Sequence, residues 1–283
     1  MAVLLLIIII ISRQYFAYAD DTVHLSRDFN TLNDILTQME NQATLAGLEI
    51  NSEKTKYMTN LNSDVIGINR ILNGASYEEV RNFRYLGSMV SRNNDIQIEI
   101  KEKLATGNRC LRSLNKIIQS RYISKKVKIR IYKTIIKPAV VYGSESWTIS
   151  ERVASMLATW ERKILRKIYG PTKDKGTWRI RTNQEIYDLY KDNDIVIDIK
   201  VRRIEWLGHI CRMNDTRLPR MILNAKLDGR RKVGRPRLRW IDDVQADLRK
   251  IGITNWWKKA VDRGEWMAVK REAKVKLKGP SRQ

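Results

Sequence analysis

Cysteine and histidine are almost absent, with two of each in 283 residues. Cys110 and Cys211 are too few and too far apart for a disulfide framework, which points to a reducing compartment. Zinc wants four ligands at workable spacing. Cys211 with His209 supplies half such a set, so both cysteines read as small apolar fillers on helices. Negative charge is also scarce: 31 acidic residues face 54 Lys and Arg, a net charge of +23. The shortage is uneven. Residues 1–58 hold four basic and seven acidic side chains, net −3, whereas Lys200 to the end holds 24 basic and nine acidic, net +15. An excess of that size calls for a polyanionic partner, nucleic acid ahead of an anionic membrane surface. Eight tryptophans in the basic part argue for folded segments there. A membrane-length apolar run is missing too. Ala2 to Ile11 is ten residues, against about twenty for a spanning helix. No Lys or Arg precedes Arg13, so the basic leader of a secretory signal is lacking. A buried strand is the preferred reading of this run over a signal anchor, and the expected location is nuclear or cytoplasmic.

What is present begins with Tyr18-Ala19-Asp20-Asp21, at the end of that apolar run and just before the β-compatible Thr22 to Ser26. Two adjacent carboxylates between extended segments suit a hairpin that presents a divalent metal to a phosphate. Oxygen ligands suit Mg²⁺, which keeps part of its water and takes one or two carboxylates. By itself an Asp-Asp pair is as well explained by a solvated turn.

The surrounding order of motifs makes the pair more specific. Phe16 to Thr22 leads into an amphipathic helix and then Gly47 to Lys56. Arg84-Tyr-Leu-Gly-Ser88 comes next, followed by Ile135 to Trp147. Further on stand Arg203 to Met213 and the Gly- and Arg-rich Gly229 to Trp240. This series, from Tyr15 to about Lys274, resembles the carboxy-terminal part of the endonuclease–reverse transcriptase of a non-long-terminal-repeat retrotransposon. The resemblance implies Asp20 and Asp21 as catalytic metal ligands for Mg²⁺, and Tyr18 and Lys54 beside the incoming nucleotide. It implies that Tyr85, Leu86 and Gly87 form a primer-grip hairpin. Implied partners are RNA and DNA, as template–primer and target, with deoxynucleoside triphosphates as substrate. For Lys54 a solvated turn lysine remains an equal reading.

In that family the fingers, the palm strand bearing the first metal-binding aspartate and an endonuclease domain precede the Tyr-Ala-Asp-Asp hairpin. Seventeen residues precede Tyr18 here, and none is acidic. Two-metal phosphoryl transfer needs ligands that hold two ions roughly 4 Å apart, which Asp20 and Asp21 alone do not supply. The expectation is a polymerase fragment, inactive by itself. The alternative is a nucleic-acid-binding protein derived from one, without catalysis.

Periodicity supplies the rest. Leu32, Ile35, Leu36 and Met39 recur at helical spacing, with Asp28 or Asn30 as cap and Gly47 as stop. Short strands are predicted at 65–68 and 70–72, then a hairpin from Phe83 to Val90 bending at Gly87. From Asn94 the period turns helical. Ser124 and Ser150 each open a helix, Pro138 kinks or ends the first, and Gly170-Pro171 closes the second. Thr182 to Glu185 reads as a capping box, and Asp194 starts a longer helix whose polar surface, with Arg202 and Arg203, is a candidate phosphate contact. Arg230, Arg231, Lys232, Arg235 and Arg237 fit a minor-groove arm, a nuclear-localisation cluster or a flexible basic connector. The expected fold is α+β and mainly α: a partial palm over 1–92, a helical thumb-like bundle over 93–170, a linker over 171–182 and a basic helical region over 183–283.

Overall fold

Strand and helix patterns segregate along the chain, and so do the two compact units of the computed structural model, residues 1–102 and 103–283. The structure describes residues 3–8, 14–59, 69–225 and 238–277. The architecture is mixed α/β and mostly helical, as the sequence pattern indicates.

In the first unit the strands are β1 (Val3–Ile8), β2 (Gln14–Tyr18), β3 (Asp21–Ser26), β4 (Lys56–Thr59), β5 (Arg70–Leu72) and β6 (Ala75–Glu79). They form one sheet in the order β2-β3-β1-β4-β6-β5. The apolar amino-terminal run therefore does become a strand. β1 lies between β3 and β4, parallel to both, with Val3 opposite Asp21 and Leu5 opposite Lys56. The strand predicted at 65–68 lies outside the described residues.

Helix α1 (Phe29–Leu45) starts because Asp28 accepts the Thr31 N–H, and it is followed by Gly47 in the left-handed region. Its Leu32 and Leu36 are fully buried with Tyr57, Leu72 and Tyr77. β5 and β6 meet at Asn73-Gly74, both with positive φ, the residues a two-residue hairpin prefers. The Asn73 N–H donates to Asn33 Oδ1 (2.8 Å) and Tyr77 Oη to Glu40 (3.2 Å), which fastens the hairpin to α1. Burial, then the Glu40 charge, pushes the Tyr77 phenol up to about 12.

β3 is buried along nearly its whole length, Thr22, His24 and Ser26 included. His24 stacks on Tyr15 with neither ring nitrogen hydrogen-bonded. Burial holds its pKa below the ordinary value, so the unfolded chain takes up the proton first. Stability of the first unit should therefore fall as pH drops below about 6.5. Melting the unmodified chain and His24→Leu across pH 8 to 5 checks this, and equal slopes for both would contradict it.

A second hairpin, β7 (Asn82–Tyr85) and β8 (Ser88–Ser91), precedes α2 (Ile96–Ser113). Glu99 of α2 accepts the Met89 N–H at 2.6 Å, and Glu102 pairs with Arg84 at 2.5 Å.

The second unit is helical. α3 (Asn115–Gln119) and α4 (Lys125–Ile131) are followed by one π-turn, Tyr132–Ile136, and then α5 (Lys137–Val141). The irregularity falls directly before Pro138, which has no N–H to give an α-helical ladder. α6 (Glu151–Tyr169) is capped by Ser150 and ends at Gly170 (φ 75°). Residues 172–174 and 177–179, expected as linker, form a small hairpin of β9 and β10. Arg179 ties it with a forked pair to Glu185 at 2.6 and 2.9 Å. α7 (Asn183–Tyr190) carries the full Thr182–Glu185 capping box, and α8 (Ile195–Cys211) is capped by Asp194. Glu161 of α6 is wholly buried and accepts from Tyr132 Oη (2.6 Å), Tyr187 Oη (3.3 Å) and the Ile195 N–H (2.9 Å). Burial raises its pKa against the pull of Lys137. Then come α9 (Leu218–Asn224), α10 (Trp240–Lys250), α11 (Trp256–Val261) and α12 (Arg263–Lys276). α10 to α12 build a core on α8 from Ile204, Leu207, Val244, Leu248, Trp266 and Val269. The helices before and after the β9–β10 hairpin thus share one unit.

Candidate functional site

The Tyr18–Asp21 corner is tight. β2 and β3 pair with Tyr18 opposite Asp21 and Ala17 opposite Thr22, leaving Ala19 and Asp20 as the turn. Ala19 takes φ 52°, a conformation costing a residue with a Cβ about 1–2 kcal/mol. Asp20 is exposed at the tip and Asp21, the first residue of β3, is half-buried. Alternation along a strand puts Asp21 on the face of Val23 and Leu25, and Phe83 and Tyr85 of β7 pack against those two residues. Burial, and after it the Asp21 charge, raises the Tyr85 phenol above its ordinary value. Two hairpins read from separate motifs therefore meet, Tyr85 beside Asp21.

The neighbouring turn residues Leu86 and Gly87 have φ 46° and 78°, as a two-residue primed hairpin turn requires. Glycine does this without strain, while Leu86 does not. Tyr18 is 68% exposed on β2, the edge strand. Lys54 is exposed in the turn before β4, its N–H bonded to Asn51 Oδ1 (2.9 Å). Lys54 stands two residues before β4, and β4 is separated from β3 by β1. That is two strand spacings, about 10 Å, across the sheet.

Two carboxylates at an exposed corner fit one Mg²⁺, which completes its octahedron with water and phosphate. They do not fit two ions. The β1 partner of Asp21 is Val3, and no group of three or more His, Cys, Asp or Glu lies together among the described residues.

The sequence reading missed the groups that hold the second hairpin: Glu99 and Glu102 of α2, and buried Glu79, which accepts from Thr59 Oγ1 (2.9 Å) and pairs with Arg92 (3.7 Å). Glu99 and Glu102, one helical turn apart, were the available signal.

The two units differ sharply in charge. Residues 1–102 contain nine basic and 13 acidic side chains, net −4, and residues 103–283 contain 45 and 18, net +27. From Lys103 to Ser144 there are eleven cations and no Asp or Glu. Arg109, Arg112, Lys116, Arg121, Lys125, Lys126 and Arg130 of this stretch are exposed, with fully exposed Tyr122 among them. Arg202 is exposed on α8. Arg203 is a correction. It is fully buried, with Nη2 2.7 Å from Asp243 and Nη1 3.7 Å from Asp247, so its guanidinium meets carboxylates in the core and not phosphate. Arg230, Arg231, Lys232, Arg235 and Arg237 lie outside the described residues.

Residues 3–90 match the family model of reverse transcriptase (RNA-dependent DNA polymerase). The chain is similar to a piece of a retrotransposon reverse transcriptase. The matched stretch holds both hairpins, the Tyr18–Asp21 corner and the Tyr85–Gly87 turn. A transposon-derived protein of Caenorhabditis elegans is 26% identical over 262 residues, covering 90% of this chain and 94% of that protein. The RNA-directed DNA polymerase from mobile element jockey of Drosophila funebris is 25% identical over 203 residues. That likeness takes in 66% of this chain but 20% of the polymerase. No solved structure matches the chain. Among the described residues no helix is long and apolar enough to cross a membrane.

Proposed function

We propose that the chain is the back of a retrotransposon reverse transcriptase: a partial palm, a thumb-like bundle over 93–170 and a basic region over 183–283. It binds template–primer nucleic acid and does not extend a primer by itself. The observation that carries this reading is the meeting of the two hairpins, Asp21 of one beside Tyr85 of the other. Such an arrangement sets a metal-binding carboxylate next to the residues that would hold a primer end.

Asp20 and Asp21 would hold one Mg²⁺, whose chemistry is to lower the pKa of a bound hydroxyl and to neutralise charge on a departing pyrophosphate. Tyr85, Leu86 and Gly87 position the primer strand at the turn of a hairpin whose second strand Glu99 holds through the Met89 N–H. Tyr18 and Lys54 border the deoxynucleoside triphosphate on either side of the corner. The second unit, at net +27, supplies phosphate contacts, and Arg202 and the exposed cations between Arg109 and Arg130 are the residues assigned to them. Arg230, Arg231, Lys232, Arg235 and Arg237 add to the same task.

The test is primer extension on an RNA template with Mg²⁺ and deoxynucleoside triphosphates, in a preparation shown to bind the hybrid. Binding without extension is expected, since the two carboxylates provide for one ion. Extension that disappears in Asp20→Asn/Asp21→Asn would overturn the inactive reading and make the chain a polymerase. A second reading, nucleic-acid binding with no metal at the corner, is favoured by the charge contrast alone. Mn²⁺ relaxation of solvent water, lost in Asp20→Asn/Asp21→Asn, separates the two.

A further inference from the structure

α10 ends in a tight reversal. Gly252 (φ 85°) lets the Ile253 N–H reach back to the Leu248 carbonyl at 3.0 Å, and Ile253 and Leu248 join the same core, as in a Schellman cap. This reversal brings Trp256 and Trp257 of α11 near Gln245 and Arg249 of α10. Gln245, Arg249, Ile253, Thr254, Trp256 and Trp257 line a surface cleft of about 160 Å³ between them. That is well below the roughly 300–1,000 Å³ of a drug-sized site, so the cleft takes a single ring system.

Its walls are specific in kind. The Trp256 and Trp257 rings are 6.2 Å apart and nearly perpendicular, at 83°. They make an aromatic corner that offers one face for stacking and another for an edge contact. Trp256 is partly buried on the α8 core, while Trp257 is 52% exposed. A ring of that size left half in solvent is not explained by core packing. Gln245 and Thr254 add an amide and a hydroxyl to the rim, which can bond to a polar ring edge. Arg249 of the lining is exposed, and so are Lys258 and Lys259, the residues that follow Trp257 on α11.

A flat ligand with a polar edge and attached negative charge satisfies all three features. We infer that the Trp256–Trp257 cleft binds one unpaired nucleobase of a single-stranded nucleic acid, the base stacking on Trp257 and its flanking phosphates meeting Arg249, Lys258 and Lys259. Paired bases present neither face, so duplex is excluded from the cleft. Base–aromatic stacking tolerates any base, and the site is accordingly not sequence-specific. The inference stands apart from the polymerase reading, since it uses no residue of the first unit.

The experiment uses the full chain and single-stranded oligonucleotides carrying one 2-aminopurine, in a DNA arm and an RNA arm, against a duplex of the same length. Stacking should quench the probe on binding. Trp257→Ala should lose the quenching and weaken single-strand binding by about ten- to a hundredfold, leaving duplex affinity unchanged, and Trp257→Phe should restore most of both. Arg249→Gln should reduce the log–log salt slope for single strands by about one. Stronger effects in the RNA arm would assign the ribose hydroxyl to Gln245 or Thr254 and keep the site. Equal weakening of single strand and duplex in Trp257→Ala, or no weakening of either, would overturn it.

Discussion

Arg203→Met should destabilise the second unit by about 3–5 kcal/mol, while Arg202→Met, one residue earlier, should change stability by no more than about 0.5 kcal/mol. The two arginines have the same chemistry and opposite surroundings. Arg202 is exposed, and Arg203 is wholly enclosed with Asp243 and Asp247 of α10. Asp243 has a second duty, accepting the buried Ile149 N–H at 2.7 Å, and Asp247 is shared with Lys200 at 2.9 Å. Removing the guanidinium leaves Asp243 buried with a backbone donor but no cation. Burial lowers the Arg203 pKa and the two carboxylates oppose that shift, the signature of a charge retained only by its partners. Urea unfolding of the pair would decide the matter. Similar losses in both variants would mean that Arg203 is not buried as described.

Gly208→Ala should be nearly as costly, about 3–5 kcal/mol, from overpacking together with a broken buried hydrogen bond. A methyl on Gly208 would lie 2.6 Å from Trp266 Cε2 and closer still to Cδ1 and Nε1. The indole cannot simply back away, because its Nε1–H donates to the Ile204 carbonyl at 2.9 Å and its ring is 3% exposed. The glycine of the Trp206-Leu207-Gly208-His209 motif therefore lets α12 lie against α8. For a unit of this size the loss corresponds to a fall in Tm on the order of 10 °C. A smaller ring should relieve it, so Gly208→Ala/Trp266→Leu should be less destabilised than the sum of the single changes. A Gly208→Ala chain that melts within a degree or two of the unmodified one would refute the packing.

Local signals are legible in the sequence, and long-range ones are not. Asp28, Ser150, Thr182 and Asp194 each cap the helix that their own neighbours specify, because capping needs only three following residues. The Asn73-Gly74 turn is equally local, and it marks the β5–β6 hairpin that the sequence analysis does not include. The burial of Arg203 is not legible in the sequence, for a different reason. α8 is buried on most of its circumference, from Ile195 and Val196 through Leu207 and Ile210, so one apolar stripe does not describe it. The carboxylates that make an arginine tolerable inside it lie forty residues on, at Asp243 and Asp247. The same limit applies to the site. Asp20, Asp21, Tyr85 and Gly87 could be picked out as motifs, yet nothing in their spacing says that Tyr85 closes on Asp21. The packing of Tyr85 on the face of β3 that carries Asp21 depends on Val23 and Leu25 facing the second hairpin and on Glu99 fastening it.

The most direct test of the nucleic-acid reading is the affinity of the purified chain for an RNA–DNA hybrid measured over a series of salt concentrations. Each phosphate neutralised contributes about 0.9 to the slope of log affinity against log salt. With a second unit at net +27 and an acid-free run of eleven cations, the expected slope is about −5 or steeper. A flat salt response, or no binding at low salt, would contradict it.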